Sequence, residues 1–254
     1  MLSKNQLKHL QALRMGKFRA ERQEFIAEGD KLARELLASD YQLTGVYALP
    51  RWLERNESLV GKPELPVVEI EDYELGRISG LVTPQEVLVT ASIPHAREVT
   101  WQDLTGPLVV LDHIQDPGNL GTIIRTADWF GFHHLVCSKG TVELYNPKVI
   151  QATMGSFLRV KVHYRDLAEL FGEIPSNRMV YGSYAGGDDV FKVSLDPDGI
   201  ILIGNESKGI SPDLARFIRQ RIGIPSFSGG ADSLNASVAV AVLLAEFRRQ
   251  NNPS

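Results

Sequence analysis

The sequence predicts two successive α/β units. Three observations carry this: a length of 254 residues with 43% hydrophobic and 23% charged residues, a repeated alternation of strand-like and helical segments, and a polar, proline-bounded stretch near the middle. The length allows one large domain or two small ones, and the composition is that of an ordinary folded protein rather than a disordered or fibrous one. The longest apolar run, residues 238–245, is far short of the ~20 residues that a membrane-spanning helix needs.

The first unit opens with Ser3 and Gln6 in capping-box spacing, followed by Leu7, Leu10 and Leu13 at helical spacing, which predicts a short basic amphipathic helix. An apolar piece at Phe25 and Ile26 runs to Gly29, and Asp30 is the expected cap of a helix bearing Leu32, Leu36 and Leu37. LTGVYAL predicts a strand over 43–49, Pro50 opens a helix, PVVEI predicts a strand over 66–70, Tyr73 to Arg77 a short helix, and EVLVTA a strand over 86–91. The polar segment between Pro94 and Pro107 reads as a linker, which places the boundary in 99–106, with one domain in 1–98 and another in 107–254.

In the second unit PLVVLDH, HLVCS, RVKV, MVYGSYA and GIILIG read as strands, with helices from Asn119 and near Pro147 to Met154. In open α/β sheets ligands gather outside the carboxyl ends of the strands, so chemistry is sought in the loops that follow them.

Three loops stand out. In LDHIQDPGNLGTIIRTADWFG, Asp116-Pro117-Gly118 forms a turn, Asn119 is a good helix cap, and Leu120, Ile123, Ile124, Ala127 and Phe130 form a buried stripe. Arg125, Asp128 and Trp129 fall outside it, which leaves the arginine fork free to clamp a phosphate. In IILIGNESKGISP a strand ends at Gly204, and a turn presents Asn205, Glu206, Ser207 and Lys208. Gly209 then releases the chain into Ser211-Pro212, a cap-plus-proline helix start. Gly204 and Gly209 have P-loop spacing, but Ile210 and Ser211 stand where lysine and Ser/Thr would hold phosphate and magnesium, which excludes that class of NTPase. No GxGxxG follows a strand either, which argues against dinucleotide chemistry. In IPSFSGGADSLN, adjacent glycines precede Ser233 and Asn235 at the entrance to ASVAVAVLLAEFRR, a helix apolar all round and expected to be buried.

The net charge is -4, yet residues 1–22 carry Lys4, Lys8, Arg14, Lys17, Arg19 and Arg22 against the single acid Glu21. Such a concentrated basic arm can bind RNA on an otherwise acidic protein, a solvated helix face being the alternative. The single cysteine, Cys137, excludes an intrachain disulfide and fits a reducing, cytoplasmic setting, with no export signal expected. Cys137 with His133 and His134 is a weak metal candidate, and no metal is expected.

Taken in order, DPGNLGTIIRTA, NPKVIQATMGS, IGNESKGI and IPSFSGGADSLNASVA resemble the SpoU (TrmH-type) branch of the SPOUT RNA methyltransferases over about residues 106–254. The stretch NQLKHLQALRMGKFRAERQEFIAEGDKLARELL is similar, more loosely, to the L30e-like RNA-substrate-binding domain that precedes the catalytic domain in many members. Glu86 stands where many relatives have glycine, and the third motif lacks the usual Met after Ile-Pro and is one residue longer.

The resemblance implies an α/β catalytic domain with a mostly parallel sheet and a deep trefoil knot, S-adenosylmethionine (AdoMet) as cofactor, and transfer of its methyl group to a ribose 2′-hydroxyl of RNA. Ribosomal RNA is the first expectation; transfer RNA, or a noncatalytic RNA-binding protein of the same fold, are the alternatives. It further implies that Gly204, Ile224 and Leu234 meet the cofactor, with Asn205 and Gly209 alongside. Arg125 would anchor the phosphate, Asn119 and Glu206 would orient that arginine, and Ser233 and Asn235 would contact ribose or cofactor. A homodimer formed through the catalytic domain is expected, with Trp129 and Phe130 as candidate anchors.

Overall fold

The computed structural model describes residues 1–61, 64–95, 98–228 and 232–251. By contacts the chain forms two units: Met1–His95 with Glu143–Leu158, and Ala96–Val142 with Arg159–Ser254.

In the first unit the elements run α1 (Lys4–Ala12), α2 (Gly16–Arg22), β1 (Glu24–Glu28), α3 (Asp30–Leu37), β2 (Leu43–Ala48), α4 (Pro50–Arg55), α5 (Glu57–Val60), β3 (Val67–Glu69), α6 (Asp72–Ile78) and β4 (Val87–Ser92). The strands form a sheet of order β1-β4-β2-β3, in which β4 is antiparallel to both neighbours and β2 parallel to β3. Ser3 and Gln6 make the expected capping box. The cap of α3 is Gly29, at φ +100, rather than Asp30. Asp30 instead accepts a 2.8 Å hydrogen bond from the buried Trp52 indole, a stronger demand than a helix end that a glycine can close.

The basic N-terminus is not a free arm. Leu10 and Leu13 are fully buried among Ile26, Tyr47, Leu49, Leu75, Ile78 and Leu88, so α1 is part of the core. Half of its cations serve structure. Arg14 donates to the carbonyl of Ile78, Arg22 pairs with His9, and the buried Arg19 donates to the Leu13 carbonyl at 2.7 Å and pairs with Glu143. Lys4, Lys8 and Lys17 remain exposed.

The second unit begins with β5 (Leu108–Leu111), α7 (Pro117–Trp129) and β6 (His134–Ser138). The chain then passes through α8 (Pro147–Thr153) and a 3-10 turn (Ser156–Leu158), which group with the first unit although the sequence boundaries put them in the second. The reason is aromatic: the Tyr145 and Phe157 rings lie 4.7 and 6.0 Å from that of Phe25. The second unit resumes with β7 (Lys161–Arg165), α9 (Leu167–Gly172), β8 (Val180–Asp189), β9 (Ile200–Ile203), α10 (Pro212–Ala215), β10 (Gln220–Gly223) and α11 (Ala236–Gln250).

Its sheet has the order β10-β8-β9-β5-β6-β7, and every pairing is parallel. Parallel sheets need both faces covered, which is why β5 and β9 are apolar without alternation and wholly buried. From β5 the chain crosses to β6, while β9 lies on the opposite side, so the direction of winding reverses between β5 and β9. A crevice opens at such a switch, outside the carboxyl ends of the two strands.

α11 departs from expectation. Val240, Leu243, Leu244 and Phe247 are buried, but Val238 is 48% exposed and Ala245, two turns along the same side, is exposed as well. Cys137 is fully buried in β6, where burial pushes its thiol far up, and the His134 imidazole meets that of His163 at 3.1 Å rather than the cysteine. Among the described residues no three His, Cys, Asp or Glu side chains converge as metal ligands.

Candidate active site at the carboxyl ends of β5 and β9

The first loop is organised by Asp116. Its carboxylate accepts the backbone N–H of Asn119 at 2.8 Å and caps α7, which starts at Pro117. Sequence reasoning gave the capping role and the helix start to Asn119. An N-cap side chain reaches the amide three residues on, so Asp116 does the capping and Asn119 sits one turn inside, with its side-chain amide available. Leu120, Ile123, Ile124 and Ala127 form the buried stripe as expected, Phe130 is only half-buried, and Arg125 and Trp129 face outward.

The second loop is a closed turn. Asn205 and Gly209 exchange backbone hydrogen bonds of 3.0 and 2.8 Å, and the Asn205 side-chain oxygen accepts the N–H groups of Ser207 and Lys208. Gly204 is required, because a Cβ there would lie 2.2 Å from the Gly209 carbonyl carbon. Gly209, at φ +69, supplies the left-handed residue that lets the turn close. Both ends are tied to the end of β5: the Asn205 amide donates to the His113 carbonyl at 2.8 Å, and the Ser211 N–H donates to the buried Asp112 carboxylate at 2.8 Å. Neither Asp112 nor His113 was singled out in the sequence, where LDH reads as the tail of a strand.

The third loop delivers Asn235, whose oxygen caps α11 by accepting the N–H groups of Ser237 and Val238 and the Ser237 hydroxyl. Its amide nitrogen donates to the Asn119 oxygen at 2.9 Å, and the Asn119 nitrogen donates to the Glu206 carboxylate at 2.7 Å. This chain has one polarity. A carboxylate only accepts, so the NH2 group of Asn119 faces Glu206; its oxygen then faces Asn235, whose own oxygen faces the helix. Three residues from three loops, 116 positions apart at the extremes, are thus locked together in the crevice.

The other expected site residues are placed but not joined to this chain. Arg125, Ser233 and Leu234 are exposed, with Leu234 at 48%, and Ile224 is half-buried. The Asn205 side chain is consumed by its turn and by the His113 carbonyl, and its backbone N–H by Gly209, so any ligand contact there falls to the second lone pair of its carbonyl. Gly229 and Gly230, the adjacent glycines of the third motif, lie outside the described residues. A cofactor with an apolar-faced ring and a polar rim suits this set. Ile224 offers a half-buried and Leu234 an exposed apolar side chain, the turn offers carbonyl oxygens, and among the described residues nothing lies within 4 Å of where a Gly209 Cβ would stand.

Comparison with known proteins places the geometry. Residues 106–245 match the SpoU rRNA Methylase family, and residues 4–89 match the MRM3-like substrate binding domain. The chain is 28% identical to the 23S rRNA (guanosine(2553)-2'-O)-methyltransferase RlmP of Bacillus subtilis, with 97% of each protein covered. Its fold superimposes on a TrmH-family protein from Porphyromonas gingivalis with a TM-score of 0.88 and 35% identity, covering 99% of this chain and 100% of the other. It also matches an AdoMet-bound rRNA methyltransferase from Sinorhizobium meliloti at a TM-score of 0.86 and 27% identity, covering 100% and 97%. With the family match spanning more than half of its length, the chain belongs to the SpoU rRNA methylase family.

Proposed function

We propose that this protein transfers the methyl group of AdoMet to a ribose 2′-hydroxyl of ribosomal RNA. The observation that carries the reading is the Glu206–Asn119–Asn235 chain at the sheet's switch point in a member of this family. The reactions named for relatives such as RlmP support the choice of target. When bound, AdoMet supplies an electrophilic methyl on a sulfonium.

The chain's own residues do the rest. Gly204, Asn205 and Gly209 offer backbone to the cofactor, the last two through the second lone pairs of carbonyls that already accept within the turn, with Ile224 and Leu234 as apolar cover. A 2′-hydroxyl is a weak nucleophile, so positioning dominates. Arg125 clamps the neighbouring phosphate through its planar fork; a guanidinium is not deprotonated in proteins and does not serve as the base. Asn119 and Glu206 hold the pocket wall in register, and the exposed Ser233 hydroxyl and Asn235 meet the ribose or cofactor. Lys4, Lys8 and Lys17 on the first unit are left to meet RNA phosphates. The test uses tritiated AdoMet and unmodified large-subunit ribosomal RNA transcribed in vitro. Label is expected in dinucleotides that resist alkali, because a methylated 2′-oxygen cannot attack the adjacent phosphate. Label in single nucleotides after alkali would mean base methylation and overturn the reading.

The protein acts, on this reading, as a homodimer formed through its second unit, with each site completed by the partner. Trp129 is 84% exposed on α7, and α11, which packs against α7, exposes Val238. An exposed tryptophan and an uncovered apolar helix side suit a two-fold interface, where one patch meets itself and an added charge counts twice. Trp129→Glu is expected to shift sedimentation from dimer to monomer and to reduce methyl transfer at least tenfold. A variant that stays dimeric would remove Trp129 from the interface; a monomeric wild type with full activity would reject the shared site.

A further inference from the structure

We propose that His113 is a stacking platform for an unpaired RNA base beside the methyl acceptor; the proposal rests on the RNA substrate assigned above. It is carried by the way the imidazole is held. His113 follows the last residues of β5 at φ +57, a left-handed conformation that few non-glycine residues adopt and that is retained where surrounding structure enforces it. Its backbone is pinned from both sides. The N–H donates to the Ser138 hydroxyl at the end of β6 at 2.8 Å, and the carbonyl accepts from Asn205 after β9.

The ring is fixed as well. Its Nδ1 lies 2.6 Å from the carboxylate of Asp112, which is 1% exposed and whose other oxygen is occupied by the Ser211 N–H. The Cδ2–Nε2 edge rests on Gly140, where a Cβ would come within 2.3 Å of the ring. Despite these restraints the side chain is 53% exposed. A flat ring, immobilised and open to solvent at the rim of the crevice, can take a base face without losing further freedom on binding. Stacking is indifferent to base identity but requires an unstacked base, which is how single-stranded RNA is recognised. Lys139, next to Gly140, is exposed and forms no ion pair among the described residues, so a phosphate of the stacked nucleotide has a cation within one residue of the platform.

The experiment compares the wild type with His113→Asn, which tolerates the left-handed backbone but has no ring, with His113→Phe, which keeps a ring, and with Gly140→Ala, which displaces the ring without changing it. The KM for transcribed large-subunit ribosomal RNA, the Kd for AdoMet and the melting temperature are measured. So is the Kd for a single-stranded oligoadenylate decamer and for the same decamer with abasic positions. His113→Asn and Gly140→Ala are expected to raise the RNA KM and the decamer Kd about 10- to 100-fold, the loss expected for one base stack, with AdoMet binding unchanged. His113→Phe should recover most of that loss, and the abasic decamer should bind all four proteins equally weakly. An unchanged RNA KM in His113→Asn, or a fall in kcat alone, would overturn the platform, the latter by making His113 a group that handles the reacting proton. If the wild type transfers no methyl to ribose, the proposed reaction fails while the decamer comparison still decides the role of His113.

Discussion

Arg125→Ala is expected to lower methyl transfer about a thousandfold, equivalent to ~4 kcal/mol of transition-state stabilisation, while AdoMet affinity stays within twofold of the wild type. The side chain is exposed on α7 and outside the stripe of Leu120, Ile123, Ile124 and Ala127, so its removal leaves no cavity, and stability should change by no more than about 0.5 kcal/mol. On the proposed function the effect belongs to the RNA: a bidentate clamp on the phosphate beside the reacting ribose would hold the hydroxyl in line with the methyl donor. Arg125→Lys should recover little, since an ammonium offers the charge without the fork. Single-turnover transfer and calorimetric titration of AdoMet check this directly. Loss of AdoMet affinity in step with the rate would move Arg125 from the phosphate into the cofactor pocket.

The parts of this molecule that could be read from the sequence are those fixed by local pattern. The alternation of apolar strands with capped helices marks the two α/β units, and the stripe on α7 is enough to put Arg125 on the outside. What failed was whatever depended on distant neighbours. β10 went unrecognised because Gln220 and Arg221 lie on a sheet edge and carry no apolar signal. The N-terminal cations looked like an arm because charge is visible in a sequence, whereas the burial of Leu10 and Leu13 and the capture of Arg14 and Arg19 are tertiary events. The full burial expected for α11 fails in a similar way, for which side of an apolar helix finds cover is also a tertiary matter, and Val238 and Ala245 stay exposed. His113 gives no signal in the sequence because a positive φ leaves no mark in the letters unless the residue is glycine or asparagine, and Asp112 gives none because the Ser211 N–H that it accepts is 99 positions away.

The three-residue chain in the crevice makes the sharpest test of whether the site acts as a unit. Asn119 is 9% exposed and donates to Glu206 at 2.7 Å, so Asn119→Asp would set two carboxylates face to face with no proton between them. The lost hydrogen bond to a charged group alone is worth about 1.5–3 kcal/mol, and the repulsion adds to it. Transfer should fall at least a hundredfold and the melting temperature should drop. Lowering the pH should lessen the thermal defect, because the paired carboxyls take up one proton more readily than either would alone, and that proton restores the donor. Adding Glu206→Gln reverses the polarity of this link. The new amide donates to the introduced carboxylate, whose other oxygen still accepts from Asn235. The double variant should therefore be more stable than Asn119→Asp alone, with a coupling of about 2 kcal/mol in a double-mutant cycle. Rate and stability then separate two duties of Glu206. If stability returns while transfer does not, its negative charge acts on the substrate side as well as holding Asn119. If the two substitutions are additive in melting temperature, the hydrogen bond between them contributes nothing and the site is not the coupled unit that the geometry describes.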